Sequence, residues 1–266
     1  MENSTYKLLE AWNSMCESAC AFNPLNEYLN RSINDPITSG HFQTEGKKIP
    51  GIGIGFIPGM HTSFDEALHH ANHIRKFTND MDIAIDCIYN HSNGVTGDLL
   101  EIISWNYEGV AHNTAKLLVD NWMKFFKENP FGKYLQFAHS QGSILLVAAL
   151  SMLPEEMQRK ITVVTIGTAK VTPKYLKCDS YNYASESDWI HRGEDLYLFT
   201  QLATSADEEY RSELLRNFEE AKKRLILLKR HADAKGWMDH DCESPTNNVV
   251  YEDHILEYLQ KNASSR

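Results

Sequence analysis

Ser140 is the residue of this sequence whose surroundings most favour chemistry. It lies in YLQFAHSQGSILLVAAL, residues 134–150, between an apolar run typical of a strand and another typical of a helix. A serine hydroxyl becomes an effective nucleophile when a base takes its proton and nearby donors stabilise the resulting oxyanion. A serine at a helix start can instead cap the helix by accepting a backbone N–H. The segment alone therefore allows a nucleophile or a helix cap.

The residues that flank Ser140 favour its interpretation as a nucleophile. A strand that turns tightly into a helix lifts the side chain at the turn clear of the sheet, and the helix N-terminus aims N–H groups at it. Ala138 and Gly142 are small and relieve crowding on either side. The run AHSQG resembles the G-x-S-x-G nucleophile elbow of α/β-hydrolases, particularly lipases and esterases, with Ala138 in place of the first glycine. The resemblance covers roughly residues 48–259.

This resemblance implies an acid and then a histidine later in the chain, in the order Ser, Asp, His. Asp188 follows the aromatic strand SYNYAS and is the expected acid, with Glu186 as the alternative carboxylate. His240 lies between the strand LILLKR and the last helix, which is where this fold places its base. His254 is the alternative, although it falls within the final helical pattern. The expected catalytic residues are therefore Ser140, Asp188 and His240.

An oxyanion hole is also implied by the resemblance. Its two donors are expected to be the N–H of Gln141, which follows the nucleophile, and the N–H of Met60, in the loop FIPGMHTSF after an early strand. An ordinary turn from strand to helix is the alternative interpretation of that loop.

An alternation of strands and helices along the chain is expected to position these residues. Short apolar runs predict strands, and the segments between several of them have helical periodicity. The predicted strands are 51–57, 82–90, 133–138, 161–167, 180–185 and 225–230. Alternation of this kind indicates crossover units. The predicted class is α/β, with a mostly parallel sheet of about six strands and helices on both faces.

Two of the predicted helices have clear start signals. Thr62 or Ser63 is expected to cap the helix that follows the first strand. Ser244 is expected to cap the last helix, with Pro245 at its first position.

The sequence pattern predicts two parts of the chain, with one boundary between them. Residues 1–47 are expected to form an N-terminal helical extension, and residues 48–266 an α/β-hydrolase-like domain. The sheet is expected to start at GIGIGFI, because the first two strands usual for this fold are not evident. A charged helical insertion at about 193–224, before the last strand, is expected to cap the pocket and to influence substrate choice.

Composition and motif spacing argue against several functional classes of protein. A formal net charge of −10 argues against a nucleic-acid surface. The five cysteines have no paired zinc spacing, and reduced thiols in a cytoplasmic setting are expected, with a non-classical secretion route left open. The N-terminus lacks a signal-peptide pattern, and no stretch has the length of a membrane span. Neither a cofactor nor a metal is expected: GIGIG lacks dinucleotide spacing, and His69, His70 and His73 lack the spacing and acids of a zinc site.

The sequence therefore predicts a serine hydrolase that cleaves an ester through an acyl-enzyme, with a small-molecule or lipid-like acyl substrate. The chain is also similar to uncharacterised hydrolase-like proteins of intracellular bacteria. Two alternatives stay open: a catalytically inactive hydrolase fold used as a binding module, and an acyltransferase with the same triad. The sequence does not indicate an oligomeric state.

Overall fold

A seven-stranded sheet forms the centre of the protein. The computed structural model describes residues 40–59, 62–89, 110–188, 190–192, 207–235 and 239–263. The strands are β1 (Gly40–Gln43), β2 (Ile52–Ile57), β3 (Asp86–Tyr89), β4 (Lys133–His139), β5 (Ile161–Ile166), β6 (Asp179–Ser185) and β7 (Leu225–Leu228). The α-helices are α1 (Phe64–Arg75), α2 (Val110–Glu128), α3 (Gly142–Ser151), α4 (Glu155–Gln158), α5 (Glu208–Lys222) and α6 (Pro245–Ala263). Two 3₁₀ helices lie at Lys76–Met81 and Ile190–Arg192.

The strand order is β1-β3-β2-β4-β5-β6-β7. Strands β2 to β7 pair in parallel, and β1 pairs with β3 in the antiparallel direction. The predicted mostly parallel α/β sheet is therefore confirmed. Because the strands are parallel, their carboxyl ends meet at one edge of the sheet, and residues that follow β4, β5, β6 and β7 are brought together there.

Strand β1 departs from the sequence prediction. The sheet was expected to begin at GIGIGFI, but residues 40–43 already form an edge strand within the segment assigned to the N-terminal extension. The segment GHFQ is short and half-exposed, so it has little hydrophobic periodicity to detect. Its pairing with β3 is what makes it a strand. Residues 1–39, the rest of that extension, lie outside the described residues.

Two hydrophobic layers cover the sheet. Successive side chains of a strand point to opposite faces, and in β4 Leu135 and Phe137 join one layer while Tyr134 and Ala138 join the other. Helices α1 and α6 cover the first face, and α2 and α3 cover the second. Strands buried on both faces read as continuous apolar runs, which is why β2, β4 and β5 were detectable in the sequence.

Helix α1 begins as the sequence predicts. Ser63 caps it in a capping box, in which the Ser63 hydroxyl accepts the N–H of Glu66 and the Glu66 carboxylate accepts the N–H of Ser63.

Helix α6 also begins at the predicted residue, Pro245, directly after Ser244. The Ser244 hydroxyl accepts the N–H of Thr246 over 3.3 Å. His240 therefore lies in the loop before this helix, and His254 lies within the helix.

The helical segment before the last strand connects two parallel strands. Helix α5 lies between β6 and β7, whose parallel pairing requires a crossover connection. Asp207 caps α5, and none of the residues of this helix is buried. Residues 193–206 of the expected cap lie outside the described residues, so the capping role stays a prediction. Among the helices in the described ranges, none has the length and hydropathy needed to span a bilayer.

Candidate active site

Ser140 lies at a tight turn between β4 and α3. Its φ is 52°, in the left-handed region that residues other than glycine rarely adopt. The Ser140 N–H donates to the main-chain oxygen of Ile166, 3.0 Å away in β5, which anchors the turn to the neighbouring strand. The N-cap residue of α3 is Gln141. Ser140 is thus not the cap of this helix, and its left-handed conformation is the one expected at a tight turn of the nucleophile-elbow type.

Glycines allow the close packing around this turn. A Cβ at Gly142 would lie 2.7 Å from the main-chain oxygens of both Ile57 and Pro58, so a side chain there would push α3 away from the end of β2. A Cβ at Gly59 would lie 2.9 Å from the Ser140 Cβ. A glycine two residues after Ser140 is therefore required by the approach of α3 to β2. Ala138, on the other side, is buried in the core.

Ser143 ties the turn to the loop after β5. Its hydroxyl donates to the main-chain oxygen of Ser140 over 2.7 Å. The Ser143 Oγ in turn accepts the N–H groups of Ala169 and Lys170, at 3.1 and 2.9 Å. Sequence reasoning did not single out Ser143, because its partners are distant in the chain.

His240 bridges Ser140 and Asp188. Its Nε2 lies 2.9 Å from the Ser140 Oγ, and its Nδ1 lies 2.7 Å from the Asp188 Oδ2. Asp188 is 1% exposed, and its other oxygen accepts the N–H of Ile190 over 2.9 Å. With the carboxylate accepting from Nδ1–H, Nε2 is left unprotonated and faces the hydroxyl. This arrangement can remove the proton of Ser140.

The two alternative residues lie elsewhere. Glu186 is exposed, and its Oε1 accepts the N–H of Arg230 at 3.5 Å. His254 contacts the Tyr183 hydroxyl at 2.9 Å, and its ring lies 4.6 Å from that of Tyr181. Burial lowers the pKa of His254, as is common for a packed histidine. The structure thus brings Asp188 and His240, rather than these alternatives, to Ser140.

His139 supports the loop that carries His240. Its Nε2 lies 2.7 Å from the main-chain oxygen of His240, and since a carbonyl oxygen can only accept, Nε2 carries the proton. The two imidazole centroids are 4.8 Å apart. Burial, and then the proximity of His240, hold the pKa of His139 well below its ordinary value. His139 is therefore a neutral donor, a role that its position beside the nucleophile did not reveal.

Gly167, directly after β5, makes room for the imidazole of His240. Its φ is +55°, and an added Cβ would lie 2.9 Å from two ring atoms of His240 and 3.2 Å from the Asp188 Oδ2. The sequence offered no signal for this role, since a glycine after a strand is common in any turn.

The expected oxyanion hole is described only in part. Gln141 directly follows Ser140, is buried and is the N-cap residue of α3, so its N–H lies at the positive end of a helix dipole. Met60 lies outside the described residues. Its neighbour Gly59 lies beside Ser140, as the close approach of its Cβ position to the Ser140 Cβ shows.

The three histidines of α1 lie near one carboxylate, that of Glu243. Nitrogen atoms of His69, His70 and His73 lie 3.1, 4.0 and 3.8 Å from the Glu243 carboxylate. The His73 Nε2 also contacts the Asn248 side-chain oxygen at 2.8 Å. Within the described ranges, no group of three or more His, Cys, Asp or Glu side chains is arranged to hold a metal ion.

Comparisons with known proteins find structural similarity alone. No family model matches the sequence, and no curated protein matches it. Many solved structures are similar to it, and the three that follow each have identity below 25% and a TM-score below 0.5. Dienelactone hydrolase from Anabaena variabilis has 13% identity over 85% of this chain and 93% of that chain, with a TM-score of 0.48. Est1E from Butyrivibrio proteoclasticus has 10% identity over 85% and 96%, with a TM-score of 0.47. The poly(3-hydroxybutyrate) depolymerase LpqC from Bordetella parapertussis has 8% identity over 83% and 87%, with a TM-score of 0.47.

The fold can be assigned from this chain's own geometry. A mostly parallel sheet carries the left-handed Ser140 turn between a strand and a helix. The carboxylate follows β6, and the histidine follows β7, in the chain order Ser, Asp, His. The protein has an α/β-hydrolase fold.

Proposed function

We propose that this protein is a serine hydrolase that cleaves esters through an acyl-enzyme, with Ser140 as nucleophile, His240 as base and Asp188 as the acid that orients the base. The observation that carries the proposal is the double contact of His240, at 2.9 Å to the Ser140 Oγ and 2.7 Å to the Asp188 Oδ2. Both distances lie within the roughly 3 Å that proton transfer requires.

Acylation begins with attack of the Ser140 Oγ on the ester carbonyl carbon, while the His240 Nε2 takes the hydroxyl proton. Asp188 stabilises the imidazolium that forms. The carbonyl oxygen becomes an oxyanion that accepts hydrogen bonds from the N–H of Gln141 and, in the proposed hole, of Met60. Collapse of this intermediate breaks the bond to the leaving oxygen, which takes the proton from His240. An acyl-serine and a free alcohol result.

Deacylation repeats these steps with water. His240 takes a proton from a water molecule, whose oxygen attacks the acyl carbon, and then returns the proton to the Ser140 Oγ as the acid leaves. The left-handed turn supports this role, since it holds the serine clear of the sheet. His139 supports it as well, because a neutral neighbour does not oppose the charge that His240 gains.

The substrate we propose is a small-molecule or lipid-like acyl ester. The triad acts on the carbonyl group that such esters share, and no cofactor takes part in this chemistry. Residues 193–224 are proposed to cap the pocket. Helix α5, within this range, has exposed apolar side chains on Tyr210 and Leu215, which suits contact with an acyl chain.

Labelling with a fluorophosphonate probe tests the proposal, because a serine activated by a base and facing oxyanion donors reacts rapidly with such probes. We expect the intact protein to be modified at Ser140, and Ser140→Ala to lose the label while keeping its fold. Ser151→Ala is a matched control at the far end of α3, the helix that follows Ser140: the Ser151 hydroxyl donates to the main-chain oxygen of Val147, away from the triad.

Three results would decide between the proposed hydrolase and its alternatives. Release of p-nitrophenol and acid from p-nitrophenyl acetate by the wild type, absent in Ser140→Ala, would support transfer to water. Equal labelling of wild type and Ser140→Ala would refute the role of Ser140. A folded wild type without labelling or hydrolysis would favour a binding module.

A further inference from the structure

Asp239 is a buried carboxylate that immediately precedes His240. It is 3% exposed, and hydroxyl groups donate to both of its oxygens. The Ser185 and Thr246 hydroxyls donate to Oδ2 over 2.7 and 2.8 Å, and the Ser244 hydroxyl donates to Oδ1. Hydrogen bonds to an ionised group are stronger than those between neutral groups. The proposed triad chemistry leaves this well-satisfied carboxylate unused.

The donors belong to both sides of the candidate site. Ser185 ends β6, and its main-chain oxygen accepts the N–H of Asp188 over 2.9 Å, so it also shapes the turn of the proposed acid. Ser244 and Thr246 lie at the start of α6. Asp239 therefore connects the turn that carries Asp188 with the helix that follows His240.

The backbone around His240 has no regular structure to hold it. Residues 239–241 belong to no helix or strand. Asp239 has a φ of 48°, a left-handed conformation that Asp and Asn adopt more readily than other residues with side chains. The direction in which His240 leaves the chain thus depends on what fixes Asp239 in this conformation.

We propose that Asp239 is a positioning residue for His240: its carboxylate, held by three hydroxyls, fixes the turn that aims the imidazole between Ser140 and Asp188. This inference rests on the proposed hydrolase function. It assigns Asp239 an effect on the rate of acylation, beyond any effect on stability.

An amide is a poor replacement for this carboxylate. Burial alone would raise the pKa of Asp239, but the hydrogen bonds from Ser244, Ser185 and Thr246 outweigh it and hold that pKa below its ordinary value, so the group is ionised at neutral pH. Asn would keep the shape and the tolerance of the left-handed turn. Its amide nitrogen, however, cannot accept a hydrogen bond, so at least one buried hydroxyl would lose its acceptor.

The test is the labelling of full-length Asp239→Asn with the fluorophosphonate probe, followed in time. The final labelled fraction counts competent sites, and the second-order rate constant measures acylation of each site. We expect the rate constant to fall about 10- to 100-fold, as for a displaced catalytic group, while the final fraction and the circular dichroism spectrum match the wild type. For p-nitrophenyl acetate, we expect kcat to fall and KM to change little.

Asp241→Asn is the matched control, because Asp241 flanks His240 on the other side but is exposed and accepts the N–H of Glu243. We expect wild-type rates from it. An Asp239→Asn rate equal to the wild type, or a reduced labelled fraction at an unchanged rate, would overturn the inference. Equal slowing in Asp241→Asn would also overturn it. If the wild type itself is not labelled, the proposed function fails, and this inference fails with it.

Thr246 provides a milder test if Asp239→Asn does not fold. Thr246→Val removes one of the three hydroxyl donors with little change of shape, and Thr246→Ser retains the hydroxyl. We expect slower labelling in Thr246→Val and a rate near that of the wild type in Thr246→Ser. Equal rates in the two variants would show that the hydroxyl contact does not position His240.

Discussion

The end of β5 faces the imidazole of His240 at Gly167: a Cβ at this position would lie 2.9 Å from both the Nδ1 and the Cε1 of His240. Glycine is required there on two grounds, since its φ of +55° is also left-handed. The ring of His240 thus packs directly on the main chain of the sheet, and its position has little room to vary.

Gly167→Ala is expected to lower kcat of the proposed hydrolysis. The added methyl group displaces the imidazole, and a shift of about 1 Å at a catalytic group can lower kcat about 100-fold. Gly51→Ala is the matched control, because Gly51 has a φ of 74° but precedes β2 at the opposite edge of the sheet. Both variants should lose roughly 1–2 kcal/mol of stability from the left-handed backbone. Hydrolysis of p-nitrophenyl acetate should fall in Gly167→Ala alone; equal kcat values would contradict the packing argument.

His240→Ala and His254→Ala should separate the two candidate bases. Loss of a triad member lowers kcat by about three orders of magnitude or more, which we expect for His240→Ala. His254 packs on Tyr181 and Tyr183 within α6, so its replacement should lower the melting temperature and leave kcat of the folded protein nearly unchanged. Steady-state kinetics beside thermal unfolding would distinguish these effects. A large loss of kcat in folded His254→Ala would refute the assignment of His240.

His139 should influence kcat through its hydrogen bond to the His240 main chain. His139→Phe keeps a ring but removes the donor, so the loop carrying His240 loses an anchor, and we expect kcat to fall about tenfold or more. His139→Gln retains an N–H at a similar reach and should keep more activity. Kinetics of the two variants, with KM measured separately, test this ordering. If His139→Phe were as active as His139→Gln, the hydrogen bond would have no part in positioning.

Acid should destabilise the protein through its buried histidines. Burial lowers the pKa values of His139, His70 and His254 in the folded state. Below about pH 6.5 the unfolded chain therefore binds protons that the folded chain does not, and the free energy of unfolding falls as the pH drops toward the folded pKa values. Each histidine that stays neutral contributes a loss of about 1.4 kcal/mol between pH 7.5 and 5.5.

Urea unfolding at pH 7.5 and pH 5.5 measures this effect. The wild type should lose stability between the two values, and His139→Gln should lose about 1.4 kcal/mol less than the wild type. The comparison uses the change with pH, so any general destabilisation by the substitution cancels. An identical pH dependence in both proteins would mean that folding does not lower the pKa of His139.

The sequence was sufficient to predict features that depend on interactions between residues close together in the chain. The turn at Ser140 was predictable because a strand, a serine and a helix with a following glycine are contiguous in the chain. The starts of α1 and α6 were predictable because Ser63 and Ser244 accept N–H groups within three residues of themselves. The short strand β1 was missed, since its pairing with β3 joins segments more than 40 residues apart.

The roles of the distant residues were decided by the tertiary structure. Sequence order left Glu186 beside Asp188 and His254 beside His240, and each choice depended on which side chain meets a partner far along the chain. His240 lies 100 residues from Ser140 and 52 from Asp188, and their contacts exist because the parallel strands end at one edge of the sheet. Gly167, His139 and Asp239 had no local signal for the same reason: each acts through packing or a hydrogen bond near His240, and spacing along the chain does not encode such contacts.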